Sequence, residues 1–183
     1  MSEGIVVVPY DDAWPVIFAA IGTRLRRELG DTALRIDHIG STAVPGLDAK
    51  PIVDIQISVA SFEPLDAFRL PIERAGFGYR PDNPERTKRY FREQPGERRT
   101  HIHVRRAGSF SEQFALLFRE FLRSHPDHAQ NYADLKHRLA KQFSSPEQRH
   151  DYVEAKAPFI WQTIHLADEW SQSTGWEPPT SDC

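Results

Sequence analysis

Residues that do phosphate chemistry stand close together early in this chain: Gly40, Ser41 and Thr42, then Lys50, then Asp54 within Ile52-Val53-Asp54-Ile55-Gln56-Ile57. Glycine permits a tight backbone turn, and serine or threonine caps a following helical turn, which leaves backbone N–H groups free to face an anion. Lys50 brings a point charge on a flexible stem that can neutralise a phosphate or a carboxylate; a solvated loop lysine is the equal alternative. Thr42 either supports this turn or caps it. On a strand, side chains alternate, so Ile52, Asp54, Gln56 and Ser58 share one face while Val53, Ile55, Ile57 and Val59 share the other, which belongs in a core. An ionised Asp54 on a half-buried strand is costly unless it is paired, hydrogen-bonded or bound to a cation, so it is a candidate ligand for a hard metal such as magnesium.

Two further groups could join it. His101 and His103 lie two apart on an expected strand and face the same way. Beside Asp54 they would complete a cation site, where imidazole favours zinc, manganese or iron over magnesium; otherwise they are a pair of solvent-facing histidines. His38 fits better as a hydrogen-bonded core residue than as a cleft residue. Between Arg86 and Arg106 eight basic residues, Arg89 among them, stand against Glu93 and Glu97. Such a segment can attract a polyphosphate or nucleotide, with Tyr90 and Phe91 available to stack on a base, because guanidinium groups match phosphate geometry. Tyr152 and Lys156 are one helical turn apart, and a plain surface contact accounts for them, although Lys156 could reach the sheet.

The run His38-Ile39-Gly40-Ser41-Thr42-Ala43-Val44-Pro45-Gly46-Leu47, followed by Ala49-Lys50-Pro51-Ile52-Val53-Asp54-Ile55, resembles the GrpB-like family of the nucleotidyltransferase superfamily, and the similarity continues through His101-Ile102-His103-Val104. The resemblance implies a nucleotidyltransferase-like α/β fold, a mixed sheet flanked by helices with a C-terminal helical part. It also implies a nucleotide or related phosphate ligand at Gly40 and Ser41 and a divalent metal at Asp54. In that superfamily active members usually present two carboxylates two residues apart on this strand, whereas here the second position is Gln56. Domains of this family also occur joined to dephospho-CoA kinase, but no Gly-x-x-x-x-Gly-Lys-Ser/Thr phosphate loop is present here.

The chain has 183 residues, 39% hydrophobic and 27% charged, which suits one globular domain; we place it at residues 1–170, with 171–183 as a mobile, polar tail. A net charge of -3 disfavours a protein devoted to binding nucleic acid. Its only cysteine is Cys183, so no disulfide framework or thiolate metal cluster exists, and a cytoplasmic setting fits. No signal-peptide pattern or membrane-spanning apolar run is apparent.

The elements that must position these groups follow from spacing. Ile5 to Val8 reads as a short strand. Asp11 and Asp12 cap a helix carrying Trp14, Ile17, Phe18, Ile21, Leu25 and Leu29 and ending at Gly30. Leu34 to Ile39 reads as a first central strand, Ile52 to Val59 as a second, and Leu65 to Ala75 as a helix. Arg89 to Arg92 and Thr100 to Arg105 form a hairpin across Pro95-Gly96. Two amphipathic helices follow, through Phe114 to Leu122 and Ala129 to Phe143. A third starts at the capping box Ser145-Pro146-Glu147-Gln148 and runs towards Trp170, with Pro158 expected to kink or interrupt it.

Three functions are in play. The first is metal-dependent nucleotidyl transfer, with a nucleoside triphosphate at Gly40, Ser41 and Thr42, Lys50 and Arg89 as further phosphate contacts, and magnesium, manganese or zinc at Asp54, His101 and His103. The second is a non-catalytic nucleotide- or coenzyme-binding module, which Gln56 favours unless the histidines complete the metal site. The third, phosphoester hydrolysis by the two histidines, rests on those residues alone.

Overall fold

The computed structural model describes residues 4–183. Asp11 rather than Asp12 caps the first helix, its carboxylate accepting from the Ala13 amide at 2.8 Å. That helix, α1 (Ala13–Leu29), turns its apolar stripe of Trp14, Phe18, Leu25 and Leu29 inward. After it come β1 (Arg35–Ile39), a single 3-10 turn at Ser41–Ala43, β2 (Val53–Val59), α2 (Asp66–Arg74), β3 (Phe77–Tyr79), β4 (Arg89–Glu93), β5 (Thr100–Arg106), α3 (Phe110–Ser124), α4 (Pro126–Gln142) and α5 (Arg149–Thr174).

The strands form one mixed sheet in the order β1-β2-β5-β4-β3, with β2 and β5 parallel and every other pair antiparallel. The fold is therefore α/β, as expected. Its core face is the one that alternation assigns: Val53, Ile55, Ile57 and Val59 of β2 join Ile102 and Val104 of β5 and Phe91 of β4 under α1 and α2. Burying each of those aliphatic side chains contributes about 1.5–3 kcal/mol before chain entropy is counted. The opposite face is only partly open. Gln56 and Ser58 are fully buried there, and Glu112 in the first turn of α3 takes hydrogen bonds from Ser58 Oγ and, through its backbone carbonyl, from Gln56 Nε2 at 3.3 Å. A second core of Val44, Leu47, Phe121, Leu122, Tyr132 and Ala167 ties α3, α4 and α5 to the loop after Gly40.

Several expectations are corrected. The first strand is an edge strand, not a central one, because the helical connection after β2 carries the chain to the far side of the sheet. Ile5 to Val8 contributes only an isolated bridge, Val8 to Ala49, and β3 is an extra three-residue strand. The capping box forms, with Gln148 Oε1 accepting from the Ser145 amide at 3.3 Å, but α5 continues through Pro158 without interruption.

The polar tail, expected to be mobile, makes contacts at its end. Ser181 Oγ and Asp182 Oδ2 each accept from β1 amides, Ile36 and His38, at 2.9 Å, and the Cys183 amide donates to the Ile36 carbonyl. Polar composition hid this role: the tail satisfies the open edge that β1 would otherwise present to solvent. Among the described residues no helix is long and apolar enough to cross a membrane.

Candidate functional site

Parallel pairing of β2 with β5 sets Asp54 beside His101 and Gln56 beside His103. All are on the sheet face away from α1, so the carboxylate and the two rings converge. Asp54 Oδ1 lies 3.1 Å from His103 Nε2 and 3.3 Å from His101 Nδ1, and one ligand atom from each residue can be chosen within 4.8 Å of the others. Burial disfavours the Asp54 anion, but hydrogen bonds from His101 and His103 outweigh it and hold the carboxyl well below the usual carboxylate range. Burial also pushes His103 down to about 4, so a neutral imidazole faces an ionised carboxylate. The far nitrogens, His101 Nε2 and His103 Nδ1, are buried without hydrogen-bond partners among the described residues.

These residues fit a single divalent cation. Two imidazole nitrogens and one carboxylate oxygen are a donor set for zinc, manganese or iron when each neutral ring carries its one proton on the far nitrogen instead of on the nitrogen facing Asp54. Gln56 does not belong to it. Its Oε1 accepts a 2.6 Å hydrogen bond from Arg105 Nη1 and its Nε2 is held by the Glu112 carbonyl.

The turn beside the carboxylate is shaped around it. Gly40 has φ of 73°, and a Cβ there would stand 2.9 Å from Asp54 Oδ2, so both backbone conformation and close approach require glycine. Thr42 does not face a ligand with its hydroxyl: the side chain is buried, 3.0 Å from His38 Nε2, and donates to the Ile52 carbonyl at 3.2 Å. It locks the turn onto β1 and β2. His38 is the core residue expected, stacked on Phe18 with ring centroids 4.9 Å apart and held neutral by burial, which pushes it down to about 4.

A cleft of about 220 Å³ opens from Asp54 and His101 past Gly40, Ser41 and Lys50 to Tyr132 and Lys136 of α4 and Tyr152 and Lys156 of α5. Lys136 and Tyr132 are not among the residues expected at the site, and Tyr152 and Lys156 line the cleft instead of making only a surface contact. Both pairs are Tyr-x-x-x-Lys at one helical turn, and their repetition in two successive helices was the available signal. Tyr152 is fully buried, and Lys50 and Lys156 lie 5.0 and 4.8 Å from its ring centroid; Lys136 lies 4.6 Å from that of Tyr132. Burial pushes Lys136 down to about 7 and Lys156 down to about 8, each aided by repulsion from neighbouring lysines.

Arg89 is not in the cleft. On β4 it alternates with Tyr90 and shares the side of buried Phe91, with its guanidinium 4.2 Å from the Phe62 ring centroid. Phe91 is likewise core and cannot stack on a base. Tyr90 does face the site, its ring centroid 5.4 Å from that of His103. Two members of the basic segment are paired with carboxylates: Lys88 with Glu85 and Arg92 with Glu93, each at 2.7 Å.

A family model described as GrpB protein matches residues 4–165. A UPF0157 protein of Pseudomonas aeruginosa is 41% identical over 91% of this chain and 69% of its own length. A dephospho-CoA kinase of Mycolicibacterium paratuberculosis is 34% identical over 94% of this chain, which spans only 48% of that protein. The crystal structure of GrpB from Enterococcus faecalis superposes with a TM-score of 0.80 at 33% identity, covering 90% of this chain and 99% of that one.

Proposed function

Since this chain belongs to the GrpB family, we propose that it binds a nucleoside triphosphate or related phosphate-bearing small molecule in the Asp54 cleft, with one divalent cation on Asp54, His101 and His103, as a metal-dependent nucleotidyltransferase-like protein. The observation that carries this reading is that Asp54 and His101, two members of a two-histidine, one-carboxylate cluster completed by His103, line one cleft with Lys50, Lys136 and Lys156. A cation there supplies positive charge to phosphate oxygens and polarises the phosphorus centre. The residues of the chain do the rest. Asp54 fixes the position of both rings, Gly40 lets the ligand and backbone approach the carboxylate, and the lysines neutralise charge at the far end.

A second reading has its own observation. Gln56 is neutral, buried and occupied at both ends by Arg105 and Glu112, so the site offers one carboxylate where two-metal transfer needs several anionic oxygens. That arrangement favours holding a nucleotide or coenzyme-like ligand without turning it over. Calorimetric titration of a nucleoside triphosphate in the presence of manganese tests binding. Pyrophosphate release in the same mixture, with candidate hydroxyl acceptors supplied, separates transfer from storage. Binding without manganese dependence would overturn the metal assignment, and absence of binding would overturn the function.

A further inference from the structure

Resting on that reading of the cleft, we infer that its inner end is a polyphosphate subsite that reads charge and not the nucleobase, built by Lys50, Lys136, Lys156 and the Tyr152 hydroxyl. Three observations converge on it. Among the described residues, none of these lysines forms an ion pair with a carboxylate. Lys136 donates only to the Asp48 backbone carbonyl, and Lys50 and Lys156 lie over the Tyr152 ring. Ammonium groups held out of water without a counter-charge are costly, and an anionic ligand removes that cost. Among the described residues Asp54 is the sole carboxylate lining the cleft against three lysines, whose protonated forms an anionic ligand would favour, and a cation on Asp54 would add to that positive charge.

Tyr152 supplies the second observation. It is fully buried, it lines the cleft, and its Oη has no hydrogen-bond partner among the described residues. Burial pushes this phenol up to about 12, so it stays a donor, and a phosphate oxygen is the acceptor it lacks.

The third is the composition of the lining. Among the described residues it contains no asparagine, glutamine or arginine, the side chains whose paired hydrogen-bonding edges distinguish one base from another. The two tyrosine rings are themselves in contact with lysine ammonium groups. A compact chain of phosphates suits this end of the cleft, leaving nucleoside identity to lie outside it.

The test uses inorganic tripolyphosphate with the full chain and manganese. Tripolyphosphate is expected to bind and to compete with ATP, GTP, CTP and UTP, whose affinities agree within about threefold, since each phosphate contact is common to them. Tyr152→Phe is expected to keep its thermal stability without ligand, because it removes an unsatisfied buried group, and to lose about tenfold in tripolyphosphate affinity. Lys156→Met is expected to lose more, and Arg89→Ala to bind as the unaltered chain does. If one nucleoside triphosphate binds far more tightly than the rest and tripolyphosphate fails to displace it, this inference is overturned while nucleotide binding stands. Unaltered tripolyphosphate affinity in both Tyr152→Phe and Lys156→Met would also overturn it. If neither tripolyphosphate nor any nucleotide binds, both fail together.

Discussion

Gln56 Oε1 and Arg105 Nη1 stand 2.6 Å apart, a charge-assisted hydrogen bond closed over by α3. The bond places Gln56 in the packing between sheet and helix instead of in the metal cluster. Gln56→Leu, close in volume, is therefore expected to cost about 1–3 kcal/mol of stability by leaving Arg105 without its acceptor, and to leave manganese affinity unchanged. Urea denaturation and metal titration on one preparation check both. A fall in metal affinity larger than the fall in stability would return Gln56 to the ligand set.

Asp54 and His103 behave differently. Asp54→Asn is expected to abolish manganese-dependent nucleotide binding, and His103→Ala to weaken metal binding by more than the roughly 10- to 100-fold lost when an outer partner of a metal ligand is removed. Titration calorimetry with manganese alone, then with nucleotide added, reads both effects. Unchanged metal affinity in Asp54→Asn would exclude that carboxylate as a ligand.

The lysines give a pH dependence whose sign can be worked out. Lys136 faces Asp48 together with Lys50 and Lys156, and burial is the largest cause of its lowered pKa of about 7; Lys156, near 8, faces Lys50 and Asp54. An anion prefers the protonated forms, so tripolyphosphate affinity is expected to be highest below pH 7 and to fall as pH rises through about 8. Stability of the unliganded chain runs the other way. Between the lowered values and the ordinary lysine value of 10.5 the unfolded chain binds more protons, so these groups make stability rise with pH across that window. Calorimetry and denaturation at pH 6, 7.5 and 9 would show the opposed trends; parallel trends would contradict them.

Arg119 is the anchor of the chain's last residues. Its side chain is wholly buried and donates to the His38 carbonyl and to Asp182 Oδ2, both at 2.7 Å. Arg119→Leu is expected to cost about 3 kcal/mol, since it removes the charged donor from a strand-edge carbonyl and from a carboxylate that keeps only the His38 amide. Asp182→Asn, which keeps an acceptor, is expected to cost less, and denaturant midpoints would rank the two.

Much of the site was legible because alternation and strand pairing are local rules. Asp54, His101 and His103 each needed only the right face of a strand, and β2 and β5 were both identifiable from their aliphatic residues. What sequence could not supply was the order of strands. Without it, β1 looked central, Arg89 looked available, and nothing indicated that the first turn of α3 would bury Gln56 and Ser58. Arg89 shows the cost most plainly: a one-residue step along β4 decides whether a side chain joins His103 or Phe91. Lys136 and Tyr132 were hidden for a different reason, since their helix reaches the cleft only through packing between elements far apart in the chain. The contacts of the tail with β1 were not legible because its polar side chains bond to backbone groups that no hydrophobic pattern reports.

Whether one cation and one polyphosphate share the Asp54 cleft is decided by anomalous diffraction from crystals soaked with manganese and a nucleoside triphosphate. A single manganese peak is expected among Asp54, His101 and His103, with phosphate density running past Gly40 and Ser41 towards Lys50, Lys136 and Lys156. A cleft without either metal or phosphate density at saturating concentrations, or a nucleotide bound elsewhere on the molecule, would contradict it.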